Sequence, residues 1–127
     1  MKYISIDGDD VGRKITACYI SNDERKLQEI SKSLEITTLS ISTLLSSLGF
    51  NILFCAADGI AASIEKPIKF TSLFEDIRSL TPEWISYSAG VGQNLREAFV
   101  ALQSAKCNGK NRLCEYSEIV DNQLNNI

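Results

Sequence analysis

The sequence predicts an α+β fold with a ferredoxin-like core, an antiparallel central sheet carrying helices on one face. Three observations predict it. Phe50 to Glu65 reads as two apolar strands folded back about Asp58-Gly59, a dipeptide favoured in two-residue hairpin turns. Amphipathic stretches lie before and after that hairpin, over 23–48 and 72–80. The whole order is strand, helix, strand, strand, helix, strand, helix, strand, which sets the first strand beside the hairpin.

Composition bounds the function. The 127 residues suit one domain over 1–127 with a single core. Thirteen basic against sixteen acidic side chains leave a net charge of −3, which argues against stable coating of a nucleic acid. A phosphate-rich small ligand stays open. No apolar run approaches a membrane span, and the N-terminus turns acidic too early for a signal peptide, so a cytoplasmic protein is expected. Cys18, Cys55, Cys107 and Cys114 form no C-x-x-C pair, and the chain has no histidine. Zinc is therefore disfavoured, and catalysis must rest on carboxylates, lysines or an oxygen-bound metal.

Taken in order, Lys2 to Asp7 alternates loosely and ends at Gly8, a strand delivering Asp7 into the acidic loop Asp7-Gly8-Asp9-Asp10. That loop is not an EF-hand, since Val11 and Cys18 occupy positions that need oxygen ligands. Ser21 with Glu24 reads as a capping box, opening a helix that carries Leu27, Ile30, Leu34, Ile41 and Leu45 and stops at Gly49. Its Ser- and Thr-rich face is expected to meet solvent or a partner rather than form a site. Phe50 to Ala56 is apolar at nearly every position, which reads as a central strand covered on both faces.

After Pro67, Ser72 with Glu75 caps a shorter helix ended by Thr81-Pro82. Trp84 to Val91 reads as a strand. Asn94 with Glu97 caps a third helix with Leu95, Phe99 and Leu102 on one face, and Asn108-Gly109 ends it. Asn111 to Glu115 reads as a last short strand, and 116–127 as a frayed polar tail. Cys55, Trp84 and Tyr87 read as core.

Placing the first strand beside the hairpin brings Asp7 and Asp58 to one end of the sheet. Two converging carboxylates repel each other unless a cation lies between them. Oxygen donors without histidine suit Mg²⁺ or Mn²⁺.

Three segments together resemble the palm domain of the nucleotide cyclase superfamily that includes GGDEF diguanylate cyclases and the polymerase subunit of type III CRISPR complexes. Ile6-Asp7-Gly8-Asp9-Asp10-Val11-Gly12 is similar to its first acidic motif, and Ala56-Ala57-Asp58-Gly59 stands where the GGDEF hairpin would be. Ser88 to Gly92, leading to Ala105-Lys106-Cys107-Asn108-Gly109-Lys110-Asn111-Arg112, resembles the end of GGDEF domains and is the most specific match. A chain of this length looks most like the minimal CRISPR polymerase family, small palm-only cyclases linked to antiviral signalling.

The resemblance covers residues 2–115 and implies a two-metal nucleotidyl cyclase. Asp7 and Asp58 would be the catalytic metal ligands, helped by the Gly8 backbone and by Asp9. Lys106 and Lys110 would bind the triphosphate, with Gly12, Ala57 and Gly59 contacting the nucleotide. It implies an NTP substrate, ATP favoured, joined into a cyclic dinucleotide or short cyclic oligonucleotide by a homodimer. The sequence departs from the pattern at Ala56, Ala57 and Gly59, where the family has two glycines and a second acid. Those departures leave a second reading, a nucleotide-binding sensor without turnover. Asp7-Gly8-Asp9 as a phosphatase nucleophile motif is a weaker third, because the central hairpin does not suit a parallel sheet.

Overall fold

Five strands form one sheet in a computed structural model that describes residues 1–119: β1 (Lys2–Gly8), β2 (Asn51–Ala56), β3 (Gly59–Ile64), β4 (Tyr87–Gly92) and β5 (Leu113–Glu115). Their order across the sheet is β2-β3-β1-β4-β5. β1, β2, β3 and β4 pair antiparallel, and β5 adds to β4 in parallel. The helices are α1 (Val11–Ile20), α2 (Glu24–Ser47), α3 (Phe70–Leu80) and α4 (Leu95–Cys107). The α+β ferredoxin-like core is as the sequence predicts.

Side chains alternate along β1, and that alternation sorts the helices. Ile4 and Ile6 join Ile60, Ala62, Ala89 and Val91 in a core completed by Ile30, Ile41 and Leu45 of α2 and Leu73 and Ile77 of α3. The other face carries Gly90, where an added Cβ would lie 2.1 Å from the Leu102 amide nitrogen and 2.2 Å from the Ala98 carbonyl oxygen. Buried Ala98, Ala101 and Ala105 complete the close approach of α4 to β4. Helices thus cover both faces, not one. Three alanines of α4 and two glycines of β4 let the helix lie directly on the strand backbone.

Several local expectations are corrected. β1, not β2, is central; β2 is an edge strand with Leu53 and Phe54 exposed. An apolar run reads alike in a covered strand and in an apolar edge. Ala56 pairs with Gly59, so the hairpin turn is Ala57-Asp58, with Ala57 at φ 52° supplying the left-handed residue. Cys55 and Trp84 are exposed; Tyr87 is buried, its hydroxyl 2.8 Å from Thr38 Oγ1.

Asp23, not Ser21, caps α2 by accepting from the Lys26 amide, while Ser21 donates back to Ala17 at the end of α1. That helix went unpredicted, because Val11, Ile15 and Cys18 make too short a stripe behind an acidic loop. α3 starts at Phe70, earlier than the Ser72 cap implies, and β4 starts at Tyr87 rather than Trp84. Asn94 caps α4 as expected, accepting from the Glu97 amide at 2.8 Å, but Leu95 and Phe99 are exposed. Residues 116–119 are helical, and the rest of the expected tail lies outside the described residues. No helix among the described residues is long and apolar enough to cross a membrane.

Candidate active site

β1 ends where the site begins. Asp7 pairs with Gly59 on one side and Ser88 on the other, so its side chain stands on the α4 face. The Gly8 amide donates to the Asp58 carbonyl at 3.1 Å and ties the hairpin turn to the end of β1. Space, rather than an unusual φ, explains glycine at position 8. A Cβ there would stand 2.9 Å from Asp58 Oδ2 and 2.7 Å from a Val11 methyl, so only glycine lets the Asp58 carboxylate settle over the strand end.

The sheet thus brings Asp7 and Asp58 together. Burial first, and the neighbouring Asp7 charge second, push the Asp58 carboxyl above its ordinary value. Lys106, in the last turn of α4, reaches into the same spot. Its Nζ lies 3.2 Å from Asp7 Oδ2, donates to the Gly8 carbonyl at 2.9 Å and sits 3.3 Å from Asp9 Oδ1.

Asp9 faces elsewhere. Only 3% exposed, it accepts from Ser86 Oγ and Ser88 Oγ, each at 2.7 Å, and from the Asn111 amide at 2.9 Å. Burial alone would raise its carboxyl; the two hydroxyls, the Asn111 amide and the Lys106 charge together hold it below the ordinary value. Asp10 is more exposed and pairs with Lys110 at 2.5 Å, a hydrogen bond that draws its carboxyl down.

The remaining sequence candidates fall close by. Gly59 opens β3, and a Cβ on it would stand 3.7 Å from Asp7 Oδ1. Ala57 is exposed in the turn, and Gly12 is exposed in the first turn of α1 with open space around it. Asp7, Gly8, Asp58 and Lys106 therefore share one center, while Lys110 and Asp10 flank it. Among the described residues no group of three or more His, Cys, Asp or Glu converges as a metal cluster. The donors that could hold a cation are the Asp7 and Asp58 carboxylates and the Gly8 carbonyl.

Beside this center opens a cavity of about 610 Å³ between α1, α2 and the hairpin tip, lined by Val11, Ile15, Leu34, Glu35, Thr38 and Asp58 among others. That is a small-molecule volume, apolar with a few polar groups.

Residues 3–116 match the minimal CRISPR polymerase domain, mCpol. The chain belongs to the minimal CRISPR polymerase family. No curated protein matches it. Among solved structures, the active GGEEF domain of a diguanylate cyclase from Vibrio cholerae aligns at TM-score 0.64 and 23% identity, covering 91% of this chain and 81% of that one. The GGDEF domain of DgcB from Caulobacter crescentus, solved in complex with c-di-GMP, aligns at TM-score 0.67 and 15% identity, covering 91% of this chain and 77% of that one. At these identities the likeness is one of fold.

Two features of this mCpol domain escaped sequence reasoning. Ser86, just before β4, and Ser88 within it stand two residues apart, a spacing that flags a shared polar partner. The cavity is not legible in the sequence, which predicts no α1 and presents α2 with a face toward solvent or a partner; Ser31, Leu34, Glu35 and Thr38 recur at helical spacing on its cavity side.

Proposed function

We propose that the chain is a metal-dependent nucleotidyl cyclase. It joins nucleoside triphosphates, ATP favoured, into a cyclic dinucleotide or short cyclic oligonucleotide with release of pyrophosphate, as a cytoplasmic second-messenger synthase in antiviral defence. One observation carries this reading: Asp7 and Asp58 converge beside Lys106, and Asp58 also lines a cavity of about 610 Å³. Membership of the minimal CRISPR polymerase family supports the nucleotidyl cyclase or polymerase class.

The donor set fits Mg²⁺ or Mn²⁺. Asp7, Asp58 and the Gly8 carbonyl are all hard oxygens, and Lys106 already brings a positive charge to the same donors. When bound, such a cation neutralises triphosphate charge and activates a ribose hydroxyl. This chain's own residues do the rest. The cavity side chains of α1 and α2 hold the base, excluding water from one side of it. Lys106 and Lys110 bind the phosphates, Lys110 leaving Asp10 in part to do so. In the reaction a ribose oxygen forms its bond to the α-phosphorus as the bond to pyrophosphate breaks, and the hydroxyl proton is released. Positioning and charge neutralisation supply most of the barrier lowering.

Two phosphodiester bonds between two nucleotides need two sites facing each other, so the active form is a homodimer with the hairpin near its twofold axis. The partner of the site is a nucleotide rather than a membrane or a nucleic acid.

A second reading is supported by Gly59, which contributes no carboxylate, and by the absence of a third acid at the center among the described residues. It makes the chain a nucleotide-binding sensor. Incubation with each labelled triphosphate and Mn²⁺, products resolved by mass, separates the two. A cyclic product lost in Asp58→Ala is expected. Nucleotide bound and recovered unchanged would leave the sensor, and no metal-dependent binding at all would sink both.

A further inference from the structure

We propose that Asp9 is a positioning residue, not a metal ligand: its carboxylate pins the segment bearing Lys106 and Lys110 against the Asp7–Asp58 pair. The proposal rests on the cyclase reading only in taking those lysines to meet a triphosphate.

Four donors fill the carboxylate. Oδ1 accepts from Ser88 Oγ at 2.7 Å and Lys106 Nζ at 3.3 Å, and Oδ2 accepts from Ser86 Oγ at 2.7 Å and the Asn111 amide at 2.9 Å. Two donors on each oxygen account for the acceptor sites of a carboxylate. A cation would have to displace at least one of them, at 3% exposure. By contrast Asp7 is about half open, with a side chain 41% exposed, and has room for another ligand.

The Asn111 amide is presented to Asp9 by backbone geometry. Gly109, Lys110 and Asn111 have φ of 119°, 64° and 49°, a left-handed run that reverses the chain just after α4. Lys110 N closes onto the Ala105 carbonyl at 3.0 Å at the end of α4, and Asn111 N closes onto Asp9. From the far side Arg78 of α3 donates to the Asn111 carbonyl and side chain. Asp9 itself is held in place, its amide donating to the Ser86 carbonyl at 2.9 Å. A buried carboxylate is thus the built-in anion around which the lysine-bearing loop folds, and only an acceptor on both oxygens satisfies all four donors. An amide would turn its NH₂ toward two of them.

Asp9→Asn keeps the volume and tests this. The expected result is a KM for nucleoside triphosphate raised about 10- to 100-fold with kcat changed far less, and an unchanged Mn²⁺ concentration for half-maximal activity. Hydrogen exchange of the Asn111 amide should rise at least about tenfold in the variant, and direct Mn²⁺ binding by calorimetry should stay within about twofold of wild type. Ser86→Ala loosens the same carboxylate from outside the center and should repeat the exchange and KM effects in milder form, should Asp9→Asn not fold. A fall in Mn²⁺ affinity with KM unmoved, or an Asn111 amide that exchanges as slowly as in wild type, overturns the proposal. If wild type makes no product, the cyclase reading fails by itself, and the exchange and Mn²⁺ arms still decide the role of Asp9.

Discussion

Lys106 Nζ donates to the Gly8 carbonyl at 2.9 Å, although the two residues stand 98 positions apart in the chain. The contact exists because α4 lies on the glycines of β4, which brings its last turn over the end of the neighbouring β1. One ammonium therefore touches Asp7, Gly8 and Asp9 together.

Lys106→Ala should lower kcat/KM for nucleoside triphosphate by roughly 10- to 150-fold, the worth of one charged hydrogen bond of about 1.5–3 kcal/mol. Lys106→Arg should recover part of it. Steady-state kinetics check this, and a variant as active as wild type would remove Lys106 from the phosphate site.

Asp58→Asn should cut product formation by about 100-fold or more. It should also stabilise the metal-free protein at neutral pH. Burial, then the Asp7 charge, raises the Asp58 carboxyl, so the folded state holds its proton more tightly than the unfolded chain does. The stability that goes with the protonated form is complete below the ordinary value of 3.8 and is lost as pH rises through the folded value. Thermal melts with and without Mg²⁺ read both effects: a higher metal-free Tm in Asp58→Asn, and a Mg²⁺-induced rise confined to wild type.

Asp9 has the opposite sign. Its folded carboxyl is lowered, so its contribution is present above 3.8 and fades as pH falls through the folded value. Urea unfolding should find Asp9→Asn about 1.5–3 kcal/mol less stable than wild type at neutral pH, with the gap closing in acid. A gap that does not change with pH would contradict the charged network.

Gly90→Ala should destabilise the fold by about 1–3 kcal/mol or more, because its methyl meets the α4 backbone at 2.1 and 2.2 Å, where no side chain can swing away. The same shift should move Lys106 off the Gly8 carbonyl, so activity should fall even at temperatures where the variant stays folded. Denaturant titration and kinetics on one sample check the pair of effects.

The sequence by itself determined the ferredoxin-like element order, the α2 helix, the Asn94 cap and the segments that match the mCpol family, because each is written in local periodicity, capping chemistry or a contiguous motif. It also brought Asp7 and Asp58 to one end of the sheet, since a hairpin beside the first strand leaves them nowhere else to go. Tertiary structure alone decided the rest. β2 became an edge because β3 took the place beside β1, which an apolar run does not specify. Two neighbouring acids parted, Asp7 toward Lys106 and Asp58, and Asp9 into a buried cage of hydroxyls and an amide drawn from β4 and the loop after α4. Those donors lie 77 to 102 residues away, and no local pattern around position 9 encodes partners brought by the packing of a helix on strand glycines.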